Sequence, residues 1–221
     1  MRGAWRVADV RAAEKALMAT LPEGTLMQRA AAGLARRCAL MLGQVYGSRV
    51  LLLVGAGNNG GDALYAGARL AGRGAAVSAL LLAPDRVHAA GLAALARAGG
   101  RIVDSVPSDV DLVVDGIIGI GGSGGLRDRA AALVSDLGAQ RGRPLVVAVD
   151  VPSGVQVDTG DVPGTAVRAD VTVTFGCLKP GLVVGLGALM AGQVEVVDIG
   201  LGPWLRGDPA IEGPDQYDIS G

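Results

Sequence analysis

Three aspartates stand at or just beyond the ends of short apolar segments, and each has small residues beside it. Asp62 closes GAGNNGGD, Asp115 closes DLVVD and Asp150 closes LVVAVD. A single aspartate after a strand usually caps a helix or fills a turn, so one alone would indicate little. The carboxyl ends of neighbouring parallel strands meet at one edge of a sheet, where open α/β sheets bind their ligands. Three carboxylates in this arrangement therefore predict one shared ligand site.

The segment RVLLLVGAGNNGGD, which contains the first of these aspartates, has little side-chain bulk after its apolar run. A phosphate or a cation can therefore approach the backbone and the two asparagine amides closely. Amide, carboxylate and hydroxyl oxygens are the ligands that alkali and alkaline-earth cations prefer. Asn59, Asp115 and Ser153 supply such oxygens and are a candidate cation site.

The same turn fits the pattern G-x-G-x-x-G through Gly55, Gly57 and Gly60, which is typical of dinucleotide-binding folds. The acid that should follow at the end of the second strand is missing, because AAVSALLLAPD reaches Asp85 only after a proline. A hydride-transferring dehydrogenase is therefore an alternative with weak support.

Two further residues bear on catalysis. Lys179, in TVTFGCLKPGL, is either a surface charge at a turn or a cation in the crevice that faces a phosphate or Asp150. His88 is the only histidine, so a Ser-His-Asp triad or a histidine-rich zinc site would have to be built around it. We expect a solvated His88 near the start of a helix.

Strand and helix patterns alternate along the chain at the spacing of crossover units. Two helices are expected within residues 7–42, joined by a Pro-Gly turn, with Thr25 and Gln28 as a cap of the second. Strands are expected at 49–54, 76–82, 101–103, 111–115, 145–150, 170–175 and 193–198, and later helices at 61–74, 87–98 and up to 137. These elements predict an α/β fold, with a Rossmann-like, doubly wound and mostly parallel sheet between two helical layers. We expect one domain over residues 1–206 and a polar tail or linker over 207–221.

Composition excludes several classes of function. The net charge is −1, so there is no basic field to attract nucleic acid or a membrane surface. The longest apolar runs are shorter than the roughly 20 residues of a membrane span, and the chain opens without a signal peptide. Cys38 and Cys177 lie in apolar surroundings and are expected to be buried, reduced thiols. A soluble, cytoplasmic protein is the expectation.

In combination these motifs resemble those of the NAD(P)H-hydrate epimerases, the family of the YjeF-type N-terminal domain. The matching segments are GAGNNGGDALYAGARL, VVDGIIGIGGSGGLR, VVAVDVPSGVQVDTG and ADVTVTFGCLKPGL, with VRAAEKALMATLPEGTLMQRAAAGLA as the leading helices. The resemblance covers about residues 7–201. It departs from the family at Ala63, where glycine is usual, and in the loop IGIGGSGG, which lacks a threonine hydroxyl at Ile120.

The resemblance implies a set of site residues. Asp150 would be catalytic, with Lys179 as a second candidate. Asn59, Asp115 and Ser153 would bind a potassium ion. Asp150 and two loops would contact the substrate, and the loops consist of Asn58, Asn59, Gly60, Gly61 and Asp62, and of Gly119, Ile120, Gly121, Gly122, Ser123, Gly124 and Gly125.

The implied reaction interconverts the R and S epimers of hydrated NADH or NADPH. Loss of the ring hydroxyl would give an iminium-like cation, and water would return to the opposite face; ring opening is a rival path. A homodimer and a fused or separate nucleotide-dependent dehydratase are the implied partners. The alternatives are a non-catalytic nucleotide-binding module of the same fold and the dehydrogenase.

Overall fold

A computed structural model describes residues 2–118, 126, 128–139 and 143–213. Its strands are β1 (Arg2–Ala4), β2 (Arg49–Val54), β3 (Ala76–Leu81), β4 (Arg101–Val103), β5 (Leu112–Gly116), β6 (Leu145–Val149), β7 (Val171–Phe175), β8 (Gln193–Val197) and β9 (Ile211–Gly213). Its α-helices are α1 (Val7–Met18), α2 (Thr25–Leu42), α3 (Asn58–Ala71), α4 (Ala89–Arg97), α5 (Asp128–Ala139) and α6 (Gly185–Ala191). Three single turns of 3-10 helix cover Pro84–Arg86, Pro180–Leu182 and Gly202–Trp204.

Strands β2 to β8 form one parallel sheet in the order β4-β3-β2-β5-β6-β7-β8. The chain builds outward from β2 to β4, returns to the other side of β2 and builds outward again from β5 to β8. The direction of winding therefore reverses between β2 and β5, and the connections at that point diverge and leave a crevice beyond the carboxyl ends of the strands. The predicted doubly wound α/β fold is confirmed.

The residues of β2, an interior strand of the sheet, alternate between two hydrophobic cores. Val50, Leu52 and Val54 of β2 pack with apolar residues of α1, α2, α3 and α4. Leu51 and Leu53 face the opposite side, where α5 packs. The sheet is thus covered on both faces, which is why its strands read as continuous apolar runs and not as alternating ones.

The start of α3 differs from the prediction in a way that matters for the site. The predicted helix began at residue 61, whereas α3 begins at Asn58, so NNGGD is the first helical turn and not a loop before it. Gly57 precedes the helix with φ of +93°, a conformation that side-chain-bearing residues rarely adopt. The two glycines that suggested a loop are tolerated in the helix because they leave room for close contacts. A Cβ at Gly60 would lie 2.4 Å from the Gly55 carbonyl oxygen.

Two predictions about residues near helix starts are also corrected. His88 is not a solvated helix residue but the N-cap of α4, where its Nδ1 accepts a hydrogen bond from the Gly91 N–H at 3.0 Å. Thr25 does not cap α2, because its hydroxyl donates to the Pro22 carbonyl at 2.7 Å and Gly24 occupies the N-cap position. Gln28 instead accepts a hydrogen bond from Arg69. At Thr25 a turn contact replaced the expected capping bond, whereas His88 makes a local capping bond that was not expected.

The two ends of the described chain meet. β9 pairs in antiparallel fashion with β1, so residues 211–213 of the predicted tail belong to a short two-stranded sheet. The division of the chain at residue 206 stays a prediction. Cys38 and Cys177 are buried and unpaired, as predicted, and burial raises the pKa values of their thiols to about 12 and about 11. Within the described residues, no helix has the length and apolar character to cross a membrane.

Candidate active site

The crevice at the reversal of winding is formed by connections that pack backbone to backbone. The Gly55 N–H donates to the Gly116 carbonyl at 3.0 Å, which extends the pairing of β2 and β5 beyond the strands. A Cβ on Gly55 would lie 1.8 Å from the Ile117 carbonyl oxygen, so only glycine fits there. A Cβ on Gly116 would likewise meet the Ala63 methyl and the Asn59 carbonyl oxygen within 3 Å. These glycines bring the first turn of α3 against the end of β5.

The amino terminus of α3 faces this crevice with free donors. The first N–H groups of a helix have no intrahelical partner, and no side-chain cap satisfies them here. An exposed helix amino terminus with a glycine-rich approach is a binding site for phosphate or carboxylate groups. Asn58 is exposed at this end, whereas Asn59, Gly60, Gly61 and Asp62 are buried.

Asn59 connects α3 to the end of the neighbouring strand β6. Its side-chain N–H donates to the Val149 carbonyl at 2.6 Å, in a buried contact between residues 90 positions apart in sequence. This bond fixes which end of the amide points inward. No hydrogen bond from a described residue reaches the amide oxygen, which can accept a hydrogen bond or coordinate a cation.

Asp115 and Ser153 form a second buried connection, between the ends of β5 and β6. The Ser153 hydroxyl donates to Asp115 Oδ1 at 2.6 Å, and the Ser153 backbone N–H donates to Oδ2 at 2.8 Å. The Ile118 N–H donates to the Ser153 Oγ at 2.9 Å. Asp115 is only 1% exposed, and burial raises the pKa of its carboxyl to about 6 despite these bonds.

This group of residues fits an oxygen-coordinated cation. Asp115 is a buried carboxylate whose hydrogen-bond donors in the described part of the chain, Ser153 and Ile117, are uncharged. A buried charge without an opposite charge is costly, and a bound cation would offset it. Potassium binds oxygen ligands, and the Asn59 amide oxygen and the Ser153 hydroxyl are two such ligands. No cluster of three or more His, Cys, Asp or Glu side chains able to hold a metal occurs among the described residues, so a transition-metal site is not indicated.

Asp150 occupies an unusual backbone conformation directly after β6. It has φ of +67°, which makes it the only described residue other than glycine with positive φ. The Val151 N–H donates to the Val149 carbonyl at 2.8 Å, so Asp150 is the central residue of a tight three-residue turn. On the neighbouring strand β7 the equivalent turn is centred on Gly176. An aspartate held where a glycine would be unstrained indicates a role for its side chain.

The Asp150 carboxylate is paired with Lys179. The Lys179 Nζ donates to Asp150 Oδ1 at 2.6 Å, to Thr174 Oγ1 at 2.8 Å and to the Phe175 carbonyl at 2.9 Å. These three bonds use all three protons of the ammonium group. Lys179 is 1% exposed, so the interpretation of it as a surface charge is wrong. Thr174 also donates to Oδ1, and no hydrogen bond from a described residue reaches Oδ2.

Two more carboxyl groups lie near this ion pair. Asp62 is 5% exposed, and its Oδ1 has no hydrogen-bond partner among the described residues. Burial raises the pKa of Asp62 well above its ordinary value, and the charges of Asp150 and Glu14 raise it further. Burial and the Asp150 charge also raise the pKa of Glu14, in α1.

Sequence reasoning identified Asp62, Asp150 and Lys179 but missed Glu14. A signal was present, because Glu14 lies between Val10, Ala13 and Leu17 on the face of α1 that is buried. A charged residue on an apolar helix face is unusual unless it is paired or functional.

The structure therefore brings most of the predicted site residues to one edge of the sheet. Asn59 contacts the end of β6, Ser153 contacts Asp115, and Asp150 contacts Lys179. The predicted second substrate loop, Gly119–Gly125, lies outside the described residues. The roles of individual residues remain predictions.

Comparisons with known proteins agree with this architecture. Residues 23–181 match the family model described as YjeF-related protein N-terminus. The chain is 53% identical to a bifunctional NAD(P)H-hydrate repair enzyme of Mycobacterium leprae, over 91% of this chain and 42% of that one. It is 47% identical to an NAD(P)H-hydrate epimerase of Microbacterium testaceum, over 91% of this chain and 80% of that one.

Among solved structures, the crystal structure of yeast YNL200c superimposes with a TM-score of 0.70 at 21% identity, covering 80% of this chain and 82% of that one. That likeness supports the fold. The chain spans about two fifths of the length of the bifunctional mycobacterial relatives that it matches. The match of the family model over most of the chain, together with the relative of similar length, shows that the chain belongs to the YjeF-related protein N-terminus family.

Proposed function

We propose that this chain is an NAD(P)H-hydrate epimerase, which interconverts the R and S epimers of hydrated NADH and NADPH. The name of the Microbacterium testaceum relative supports this activity, since that protein is similar to the chain over most of both lengths. The observation that carries the proposal is the buried Asp150–Lys179 pair at the crevice. It provides a carboxylate whose charge and orientation are fixed before substrate binds.

The crevice suits a substrate that carries phosphates and an uncharged ring. We assign the phosphates to the amino terminus of α3, where free N–H groups and the helix dipole favour an anion. Asn58, Asn59, Gly60, Gly61 and Asp62 form the first substrate loop, of which the residues at the start of the helix lie nearest the phosphates. Gly119–Gly125 supplies the second substrate loop.

The reacting carbon of the hydrate carries a hydroxyl and is bonded to the ring nitrogen. The nitrogen lone pair forms a C=N bond as the C–O bond breaks, and the hydroxyl leaves as water once it gains a proton. The product is a flat cation, to which water adds from the opposite face. Attack from that face, with loss of one proton from the incoming water, gives the other epimer.

Asp150 is the catalytic carboxylate in this scheme. Its Oδ1 is occupied by Lys179, Thr174 and the Phe175 N–H, so Oδ2 is the oxygen that remains for the substrate. A fixed negative charge stabilises the developing cation, and Oδ2 accepts the proton of the incoming water. Acid–base assistance of this kind typically contributes about 10²- to 10⁴-fold in rate. Lys179 acts through Asp150 as a positioning residue, because its three protons are already donated.

A potassium ion is the cofactor that we propose, held by Asn59, Asp115 and Ser153. These residues come from α3, β5 and the turn after β6, so one ion would join the three connections around the crevice. It would offset the buried charge of Asp115 and takes no part in the bond changes.

The test is to add one epimer of hydrated NADPH to the protein and to follow the ratio of epimers by chromatography, in potassium and in lithium buffers. We expect rapid equilibration in potassium and slower equilibration in lithium. Asp150→Asn should abolish it without loss of fold, whereas Asp208→Asn, the same change at an exposed carboxylate, should leave it intact. Binding without interconversion by the wild-type protein would instead indicate a non-catalytic module. Oxidation of unhydrated NADPH, with an added acceptor, would indicate a dehydrogenase.

Three further assignments belong to this proposal. We place the protein in the cytoplasm, where its substrates arise. A nucleotide-dependent dehydratase, fused or separate, would consume one epimer, in keeping with the bifunctional name of the mycobacterial relatives.

We also propose a homodimer. The apolar faces of α1 and α2 pack mainly against the protein's own sheet, and only single apolar side chains such as Met18 and Leu40 are exposed on the described part of these helices. The exposed leucines of α6, Leu186 and Leu189, are a better candidate contact. Light scattering of the wild-type protein and of Leu189→Glu tests this, with a monomeric wild type as the contradicting result.

A further inference from the structure

Glu14 is a half-buried charged residue beside the apolar face of a helix. In α1 the residues Val10, Ala13 and Leu17 are buried, at spacings of three and four that place them on one face. Glu14 is four residues after Val10 and three before Leu17, so it lies next to that face. It is partly exposed, in contrast to the neighbouring Arg11 and Lys15, which are exposed.

Two hydrogen bonds fix this part of the chain next to the catalytic pair. The Val7 N–H, at the start of α1, donates to Asp158 Oδ1 at 2.9 Å, which ties the helix to the segment that follows Asp150. The Trp5 N–H donates to the Leu178 carbonyl at 2.8 Å, immediately before Lys179. The position of α1 is thus set by both segments that carry the catalytic pair.

Several charged and titratable groups face Glu14 from the neighbouring elements. Asp150 and Lys179 act on it from beyond β6 and β7, and Arg11 acts from its own helix. Glu14 in turn acts on Asp62 in α3 and on the buried thiol of Cys177. Asp150, Glu14 and Asp62 therefore act on one another electrostatically, and Lys179 is hydrogen-bonded to Asp150. With all three ionised the cluster would carry excess negative charge away from water, which is unfavourable, so it retains a proton.

Asp62 is the member of the cluster that best holds this proton. Unlike Asp150 it has no hydrogen bond to Lys179, unlike Glu14 it is almost fully buried, and its Oδ1 has no hydrogen-bond partner among the described residues. Asp150 is the reverse case, because its Oδ1 accepts from Lys179 and Thr174. Two carboxyl groups whose surroundings favour opposite protonation states are the arrangement expected of an acid and a base.

We propose that Asp62 is the proton donor to the departing ring hydroxyl, and that Glu14 is a positioning residue whose negative charge keeps that proton on Asp62. This rests on the proposed epimerase function. The C–O bond breaks with its electron pair on oxygen, the Asp62 proton completes a water molecule, and the nitrogen lone pair forms the C=N bond. Water then adds to the opposite face and gives its proton to Asp150. Transfer of that proton from Asp150 to Asp62 within the cluster restores the starting state.

The activity test compares pH profiles of epimerisation. In the wild type, kcat/KM should fall on the alkaline side, where Asp62 loses its proton. Glu14→Gln should move that fall to lower pH, by about one unit for the loss of one neighbouring charge. Glu14→Asp, which keeps the charge, should move it back toward the wild-type position. The matched control is Glu23→Gln, at an exposed glutamate in the turn between α1 and α2, and its profile should coincide with the wild type. Asp62→Asn should lose about 100-fold or more in kcat.

A second readout needs no substrate. The infrared band of a protonated carboxyl group should be present in the wild-type protein at mildly alkaline pH. It should be missing in Asp62→Asn, and in Glu14→Gln it should titrate at lower pH than in the wild type. Circular dichroism of each variant checks that the fold is kept.

The outcomes separate this inference from the function on which it rests. If the wild type epimerises but Glu14→Gln has the wild-type pH profile, or Asp62→Asn keeps near-normal kcat, the inference is overturned and the epimerase stands. If the wild type does not epimerise but the infrared band behaves as expected, the proposed function fails and the shared proton stands. Absence of the band overturns the role of Glu14 in either case.

Discussion

The buried Asp150–Lys179 ion pair allows a quantitative prediction about the free energy of unfolding. Replacing Lys179 with methionine keeps most of the side-chain volume but removes three hydrogen bonds, to Asp150, Thr174 and Phe175. The remaining carboxylate is left without a positive partner in a site that already contains Glu14 and Asp62. Removing one partner of a buried pair typically costs about 3–5 kcal/mol, because the other charge stays buried.

That cost is a large part of the stability of an ordinary domain, which is about 5–15 kcal/mol. For a chain of this size it corresponds to a fall in Tm of about 6–20 °C. Adding Asp150→Asn removes the unpaired charge, and the amide can still accept from Thr174. We therefore expect the double variant to be more stable than Lys179→Met alone, although neither should epimerise the substrate.

The assay is urea unfolding followed by circular dichroism, with the wild type, Lys179→Met, the double variant and a surface control. The chain contains only one other lysine, Lys15, which is exposed on α1, so Lys15→Met is a matched control and should change stability little. Two results would refute the reasoning. One is a loss of less than about 1 kcal/mol in Lys179→Met, the size seen for surface pairs. The other is a double variant no more stable than the single one.

Three further predictions concern other parts of the site. Asp62→Asn should flatten the pH dependence of the free energy of unfolding. Because the pKa of Asp62 is raised in the folded state, that state binds more protons than the unfolded one, and the free energy of unfolding of the wild type falls as pH rises from the ordinary aspartate range through the raised value. An unchanged pH dependence in urea titrations of the variant would contradict this. Ser153→Ala should cost about 1–3 kcal/mol, because the buried Asp115 carboxylate and the half-buried Ile118 N–H lose their hydrogen bonds, and unfolding curves that overlay the wild type would exclude that role. Gly55→Ala should destabilise the protein by more than about 3 kcal/mol, since the new Cβ would overlap the Ile117 carbonyl oxygen. Gly164→Ala is the control, because a Cβ at that position meets no atom within 4 Å. Equal expression and equal Tm values for the two variants would show that the backbone at Gly55 can shift to make room.

Much of the site could be predicted because it lies at the ends of strands. The apolar runs of β2, β5 and β6 are visible in the sequence, and a parallel sheet places their carboxyl ends together. That rule alone was sufficient to group Asn59, Asp115 and Asp150, although they are far apart in the chain. The predicted strand bounds differ from the structure by at most one residue, because glycine, proline and aspartate mark where the strands stop.

The errors arose where long-range packing outweighs local preference. NNGGD reads as a loop because glycine and asparagine are poor helix formers, but the close packing of α3 against the turn after β2 stabilises it as helix. The sequence around Lys179 is compatible with either a surface charge or a buried cation. Its burial became clear only from the hydrogen bonds that it donates to the Asp150 carboxylate and to acceptors at the end of β7.

The sequence by itself determined the order and type of most elements, the edge of the sheet proposed to bind ligand and most of the candidate residues there, since strand alternation and turn chemistry are local properties. Tertiary structure alone decided the charge relations: that Asp150 is paired, that Asp62 has an oxygen with no partner among the described residues, and that Glu14 belongs to the same cluster. The physical reason is that protonation depends on burial and on the distances between charges. Those quantities do not exist until α1, α3 and the connections after β6 and β7 pack together.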